Sequence, residues 1–282
     1  KKPKKKKKKR KILLKISIVF LLLVVIGWFT IGMKVMKLRA EAKDLVANTS
    51  EQTFKATQTS VVYDTNGKVI TKLKGEKDVY YLKYKDLPVY AVAAMISVED
   101  NNFYKHNGVD FRGIARAAVS FVTNKGEVTQ GGSTITQQLA RTVFLTREIS
   151  WQRKVKEMFV AWGLEKEYSK DQIMEFYLNN VYFANGYYGI QAASKGYFDK
   201  DAKDLTMSEA AFLCAVPNAP NMYEPYHHKE KTLTRRDKIL KDMYKQNLIT
   251  KSQRDEALRE KITLKKKKTE QKRKDHTEKE KD

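Results

Sequence analysis

Between Lys15 and Lys34 the chain carries 18 uncharged, mostly apolar residues, ISIVFLLLVVIGWFTIGM. As a helix they reach about 27 Å, close to the roughly 30 Å hydrocarbon core of a bilayer. Residues 16–33 are therefore expected to form one transmembrane helix. A secretory signal peptide has a shorter apolar run that ends in a small-residue cleavage site. This run ends in Gly32-Met33-Lys34, so a retained anchor is expected instead. Residues 34–58 are polar and amphipathic and predict a short helix and a linker. Thr59 to Leu73 alternates around Asn66-Gly67, a two-residue hairpin signal. After Pro88 the periodicity turns helical. AVAAMISV predicts an apolar helix that delivers Glu99 at its end. Asp110 caps FRGIARAAVSFV, Ser133 or Thr134 caps TITQQLARTVF, and Ser150 precedes WQRKVKEMFVAWGLEKEY. Ser169 with Gln172, and Thr206 with Glu209, are capping-box pairs that open two more helices. The last helices are expected over 229–246 and 251–260. The fold class is thus mostly α, with a small β-hairpin, preceded by one transmembrane helix.

Charge divides the chain further. The net charge is +23 over 282 residues, yet residues 1–15 alone hold eleven cations and no acid. Residues 261–282 hold ten cations and five acids, with almost no apolar residue, and read as a disordered basic tail. The body between is only mildly basic, which excludes a uniformly basic nucleic-acid binder. The positive-inside bias places the 1–15 tail in the cytoplasm and exports the body. A single cysteine, Cys214, excludes an internal disulfide and a Cys-rich metal site, and burial suits it better than reactivity.

Three polar clusters could carry chemistry. In EDNNFYKHNGVD, Glu99 emerges where an apolar helix meets a pocket wall, a seating that prepares a carboxylate for acid/base work. The plainer reading has Glu99, Asp100 and His106 capping helices and pairing with lysines, and His106 taken alone reads as structural. In QGGSTITQQLAR, two glycines before a Ser/Thr cap suit an anion at a helix N-terminus. Thr134, Gln137, Gln138 and Arg141 share one helix face, with amides and a guanidinium but no acid, which suits a phosphate or a sugar. Ser133 lies outside any Gly-x-Ser-x-Gly elbow, so a serine nucleophile is not supported. In RKVKE, Arg153 and Glu157 are one turn apart. They make either an ordinary surface ion pair or a second carboxylate held among cations beside an anionic group.

Together these clusters resemble the family 51 glycosyltransferases, the peptidoglycan polymerases found alone or as the first half of class A penicillin-binding proteins. The resemblance runs from about Val61 to Pro225 and adds IMEFYLNNVYF with GYYGIQAASKGYF, and LTMSEAAFLCAVPNAPNMYEP. It implies a lysozyme-like glycosyltransferase domain with a small jaw subdomain over residues 59–260. The implied reaction, at the outer face of the cytoplasmic membrane, polymerises lipid II by inverting transfer and releases undecaprenyl pyrophosphate. On that likeness Glu99 is the general base. Arg141, Arg153 and Lys154 stabilise the leaving pyrophosphate, and Glu157 orients those cations or holds a divalent ion. Asp100, Phe103 and His106, in the same motif as Glu99, are expected to bind the substrate or its pyrophosphate, and Ser133, Thr134, Gln137 and Asn179 to line the cleft. Magnesium or manganese is compatible with the family and not demanded by the sequence. Implied partners are lipid II, the growing glycan strand, the membrane and other cell-wall synthesis proteins, with no nucleic acid.

The departures are few. Arg141 stands where many relatives have Lys. Arg147 is displaced by two positions from the usual arginine, which leaves its place in the site open. Ala184 and Asp199 replace frequent glycines. No Ser-x-x-Lys or Lys-Thr-Gly occurs, so the chain is expected to be a monofunctional transferase or the first part of a bifunctional penicillin-binding protein. The competing enzyme class is a lysozyme-like muralytic enzyme, which needs a general acid and no pyrophosphate cradle. A basic membrane-tethered scaffold explains the tails but not five ordered motifs.

Overall fold

The computed structural model describes residues 4–55, 60–63, 69–73, 80–124, 131–145 and 149–266. The chain opens in one unbroken helix, α1 (Lys4–Ala47), which contains the apolar run 16–33. Among the described residues no helix is long and apolar enough to cross a membrane. The side chains of residues 16, 19, 20, 23 and 24 within that run lie outside the described residues. The short helix and linker expected over 34–58 is instead mainly a continuation of α1. No Gly or Pro interrupts residues 34–47, and Lys, Met, Leu, Ala and Glu there are good helix formers. After a cap in which Thr49 Oγ1 donates to the Leu45 carbonyl at 2.7 Å, α2 (Glu51–Lys55) follows.

Strand β1 (Ser60–Tyr63) pairs antiparallel with β2 (Val69–Leu73), Ser60 opposite Leu73. The Asn66-Gly67 turn expected between them lies outside the described residues. All other described elements are helical: α3 (Val89–Glu99), α4 (Phe111–Thr123), α5 (Ile135–Phe144), α6 (Trp151–Glu167), α7 (Lys170–Asn180), α8 (Ile190–Phe198), α9 (Met207–Cys214), α10 (Lys229–Lys245) and α11 (Lys251–Arg259).

Short polar residues set the helix starts. Asp110 accepts from the Gly113 amide at 2.9 Å, and a Cβ at Gly113 would lie 2.8 Å from that carboxylate, so a larger residue there would make the Asp110 side chain shift. Thr134–Gln137, Ser169–Gln172, Thr206–Glu209 and Thr250–Gln253 are complete capping boxes. Thr134, not Ser133, is the cap of α5. At the far end of α10, Asn247 takes φ 59°, with the Leu248 amide bonded to Met243 and that of Asn247 to Tyr244, a Schellman closure.

The core is built on α7 and α9, in which residues 173–180 and 207–214 are all buried. Helix α3 packs between α9 and α10, and α5 lies against α6 and α7. Phe54 of α2 stacks on Phe176 at 3.9 Å and ties the chain leaving α1 to α7. Segment 80–84 is clamped to α7 by buried acceptors: Glu175 takes Tyr81 Oη at 2.6 Å and the Tyr84 amide at 2.8 Å, and Asn179 bonds both backbone groups of Leu82. Burial, then the Glu175 carboxylate, pushes the Tyr81 phenol far up. The end of α1 docks on α6, where Ala42 and Val46 are buried and Lys156 Nζ lies 2.6 Å from Glu41. A Cβ at Gly163 would stand 2.7 Å from Val46 Cγ2, so these backbones approach only because residue 163 is glycine.

Candidate active site

Where α3 ends, a cleft of about 780 Å³ opens between the α3–Asp110 loop, α4, the start of α5, and α10. Glu99, the last residue of α3, stands in its wall with its side chain only 7% exposed. Its Oε2 accepts from Gln138 Nε2 at 2.9 Å. Its Oε1 is buried without a hydrogen bond and faces Arg235 Nη2 at 3.7 Å. Gln138 Oε1 accepts in turn from the fully buried Tyr177 hydroxyl at 3.0 Å. Burial first, and then the Glu99 charge, raises both the Tyr177 phenol and the Cys214 thiol. Cys214 is buried and free, its Sγ on the Ala91 carbonyl.

Asp100 organises the next layer. His106 Nδ1 accepts from the Gly108 amide at 3.1 Å, which leaves Nε2 as the N–H that meets Asp100 at 2.9 Å. The same carboxylate accepts the Ile135 amide at 3.0 Å, and Thr134 Oγ1 donates to the Gly108 carbonyl at 2.6 Å. The loop after Glu99 is thereby sewn to the N-terminus of α5. At that terminus the amides of Thr134, Ile135 and Gln137 already have protein acceptors. An anion here meets Gly131, Gly132, Ser133 and side-chain cations rather than the first turn of α5.

Of the residues singled out from sequence, Glu99, Asp100, Ser133, Thr134 and Arg141 line the cleft. Lys154 reaches its edge, donating to Ser133 Oγ at 2.6 Å. Glu157 is 1% exposed, and its two oxygens are bonded by Arg153 Nη1 at 2.5 Å and Lys154 Nζ at 3.1 Å. With both oxygens committed to cations, and no three His, Cys, Asp or Glu side chains converging among the described residues, Glu157 is not built as a divalent-ion ligand. Its geometry suits the orientation of Arg153 and Lys154.

Three of the expected site residues are elsewhere. Gln137 is fully buried in its capping box with Thr134, Asn179 is buried in the clamp on Leu82, and Phe103 is in the core beneath Lys170 Nζ at 4.5 Å. His106 touches Asp100 and does not line the cleft. Arg147 lies outside the described residues. Sequence reasoning passed over Arg116 of α4, Tyr223, and Arg235, Lys238, Asp242 and Gln246, which form one stripe of α10. The spacing of that stripe is visible in the sequence, but it looks like any solvated helix face. Asp110 also lines the cleft. Burial pushes its carboxyl up, but hydrogen bonds from Asn102 and the Gly113 amide, with His106 and Arg116 nearby, outweigh burial and hold it below the usual range.

The transglycosylase family model matches residues 66–244, which include all the cleft residues named above except Gln246. The chain belongs to the transglycosylase family. It is 42% identical to penicillin-binding protein 1A of Aquifex aeolicus over 209 residues, 74% of this chain and 28% of that protein. Penicillin-binding protein 4 of Bacillus subtilis is 36% identical over 251 residues, 88% of this chain and 40% of the relative. Penicillin-binding protein 1F of the same organism is 45% identical over 191 residues, 68% and 26% of the two chains. The chain therefore spans well under half the length of these relatives. It carries the glycosyltransferase domain of class A penicillin-binding proteins.

Proposed function

We propose that this domain is a peptidoglycan glycosyltransferase that extends glycan strands from lipid II, a disaccharide-peptide carried on undecaprenyl pyrophosphate. The observation that carries the reading is the carboxylate of Glu99, set in the wall of a cleft that Arg116 and Arg141 also line. That pairing suits attack by a sugar hydroxyl on an anomeric carbon whose leaving group is a pyrophosphate. The 4-hydroxyl oxygen of one sugar forms the new bond to the anomeric carbon of the other, from the face opposite the leaving group. The bond from that carbon to the phosphate oxygen breaks, and its electron pair departs with the pyrophosphate. Glu99 takes the hydroxyl proton. Negative charge grows on the departing oxygens, where Arg141, with Lys154 behind Ser133, supplies fixed positive charge. No step draws on a metal ion.

The same proposal places the domain outside the cytoplasm, on a single anchor formed by residues 16–33, in the lysozyme-like arrangement of its family. Two surfaces support this. Leu21, Leu22, Val25, Ile26, Trp28, Phe29 and Ile31 of α1 are all exposed apolar side chains. On α4, Phe111, Val119, Phe121 and Val122 are exposed as well, the apolar surface of a small lobe lying on lipid.

Purified full-length chain in detergent, given lipid II, is expected to form glycan polymer visible on gels. Glu99→Gln keeps the side-chain shape but cannot take up the proton, and should lose about 10²–10⁴-fold in turnover with lipid II binding retained. Near-normal turnover in that variant would overturn the assignment. Cutting of preformed glycan strands by the unaltered protein would point to a hydrolase.

A further inference from the structure

We infer that Tyr177 is a positioning residue for the reaction, acting through the Gln138 amide to hold the Glu99 carboxylate in its working orientation. The inference rests on the proposed role of Glu99 and goes beyond it by assigning a residue that touches no substrate. Tyr177 is 1% exposed on α7, and its hydroxyl reaches Gln138 Oε1 at 3.0 Å. Gln138 Nε2 reaches Glu99 Oε2 at 2.9 Å. The chain of donors thus runs in one direction, from phenol to amide to carboxylate.

Its direction matters because a primary amide has two faces. Turned over, Gln138 would present its carbonyl oxygen to a carboxylate that can only accept, and the two would repel. A glutamine on the rim of an open cleft has nothing intrinsic to prevent that. The acceptor-only carboxylate disfavours that flip, and the phenol adds to the preference. Inside the core it stays protonated, and as a donor it favours the amide orientation in which the carbonyl faces it. On the other side Arg235 stands 3.7 Å from Glu99 Oε1, too far for a hydrogen bond, with its guanidinium 5.1 Å from the Tyr223 ring. The Gln138 amide is therefore the only hydrogen bond that fixes the carboxylate among the described residues.

The test is a double-variant cycle on the full chain in detergent, read as kcat and KM for lipid II, with melting temperature as a separate measure of folding. Tyr177→Phe removes only the hydroxyl and should lower kcat about tenfold, the scale of one hydrogen bond, with KM changed less than about twofold on the same scale. Gln138→Met keeps the volume, removes the amide and should cost at least as much. In the Gln138→Met background, Tyr177→Phe should have no further effect on kcat, because the hydroxyl then has no amide to orient. A residue that merely supports the fold would lower kcat by the same factor in both backgrounds, and that result overturns the inference. So does an unchanged kcat in either single variant, and in Gln138→Met that result overturns the inference even if Tyr177→Phe fails to fold. Full turnover in Glu99→Gln would instead show that the proposed function is wrong.

Discussion

The junction of α1 with α6 offers a test in which one substitution should change the sign of its effect with its background. In an ordinary helix interior, Gly→Ala stabilises by about 1 kcal/mol. At Gly163 the added Cβ would lie 2.7, 3.2 and 3.3 Å from Cγ2, Cγ1 and Cβ of Val46. The first is shorter than carbon atoms tolerate, and the other two are tighter than ordinary contacts. Val46 is buried and cannot swing aside, so α1 must back away from α6. Overpacking of this kind costs about 1–3 kcal/mol, which offsets the helix term and leaves Gly163→Ala destabilising by up to about 2 kcal/mol. Val46→Ala removes both Cγ atoms. In that background Gly163→Ala should recover the full helix gain of about 1 kcal/mol. For a domain of this size that is a rise of about 2–4 °C in melting temperature against a fall of similar size in the unaltered background. Thermal unfolding followed by the fluorescence of Trp162, the neighbouring residue, reads both. If Gly163→Ala stabilises equally in both backgrounds, the two helices are not held at this contact and the described packing is wrong.

Arg141→Ala should lower turnover at saturating lipid II by about 10²-fold or more, the loss of one preorganised charge contact; unchanged kinetics would remove Arg141 from the leaving-group site. Asn247, held at φ 59° after α10, should yield opposite results with its two smallest replacements. Asn247→Gly is expected to raise stability slightly, and Asn247→Ala to lower it by about 1 kcal/mol. Equal melting temperatures for the two would show that the left-handed conformation is not maintained.

Helix starts were legible because one side chain decides each of them. Asp110, Ser150, Ser169 and Thr206 each accept from the amide three residues on, a local contact independent of the rest of the fold. Glu99 was legible for the same reason, since an apolar helix that ends in a carboxylate must deliver it at a surface. The cleft was harder to read. Thr134 and Gln137 share a helix face with Gln138 and Arg141, but periodicity does not reveal that the capping box turns Gln137 into the core. Asn179, placed in the cleft only by the family resemblance, is on a helix buried on every side over residues 173–180, where its partners are backbone groups of Leu82 and Glu175. Arg235 meets Glu99 only because α10 packs on α3, a contact between residues far apart in the chain that no local pattern encodes.

The docking of α1 on α6 also fixes a depth. Glu41 meets Lys156 and Val46 meets Gly163, so the two helices run in the same direction with a nearly constant offset. Followed back along that offset, Lys154 is level with the α1 turn around Lys37 to Arg39. That turn lies about five residues, or roughly 7 Å of helix, beyond Met33, where the apolar run ends. On the proposed anchoring of residues 16–33 in the bilayer, the ammonium group on Ser133 would stand at the height of the phosphates of the surrounding lipids. A pyrophosphate whose prenyl chain stays among the acyl tails reaches that height without leaving the membrane. On the proposed function, one helix would then both anchor the protein and set the level at which its substrate is read.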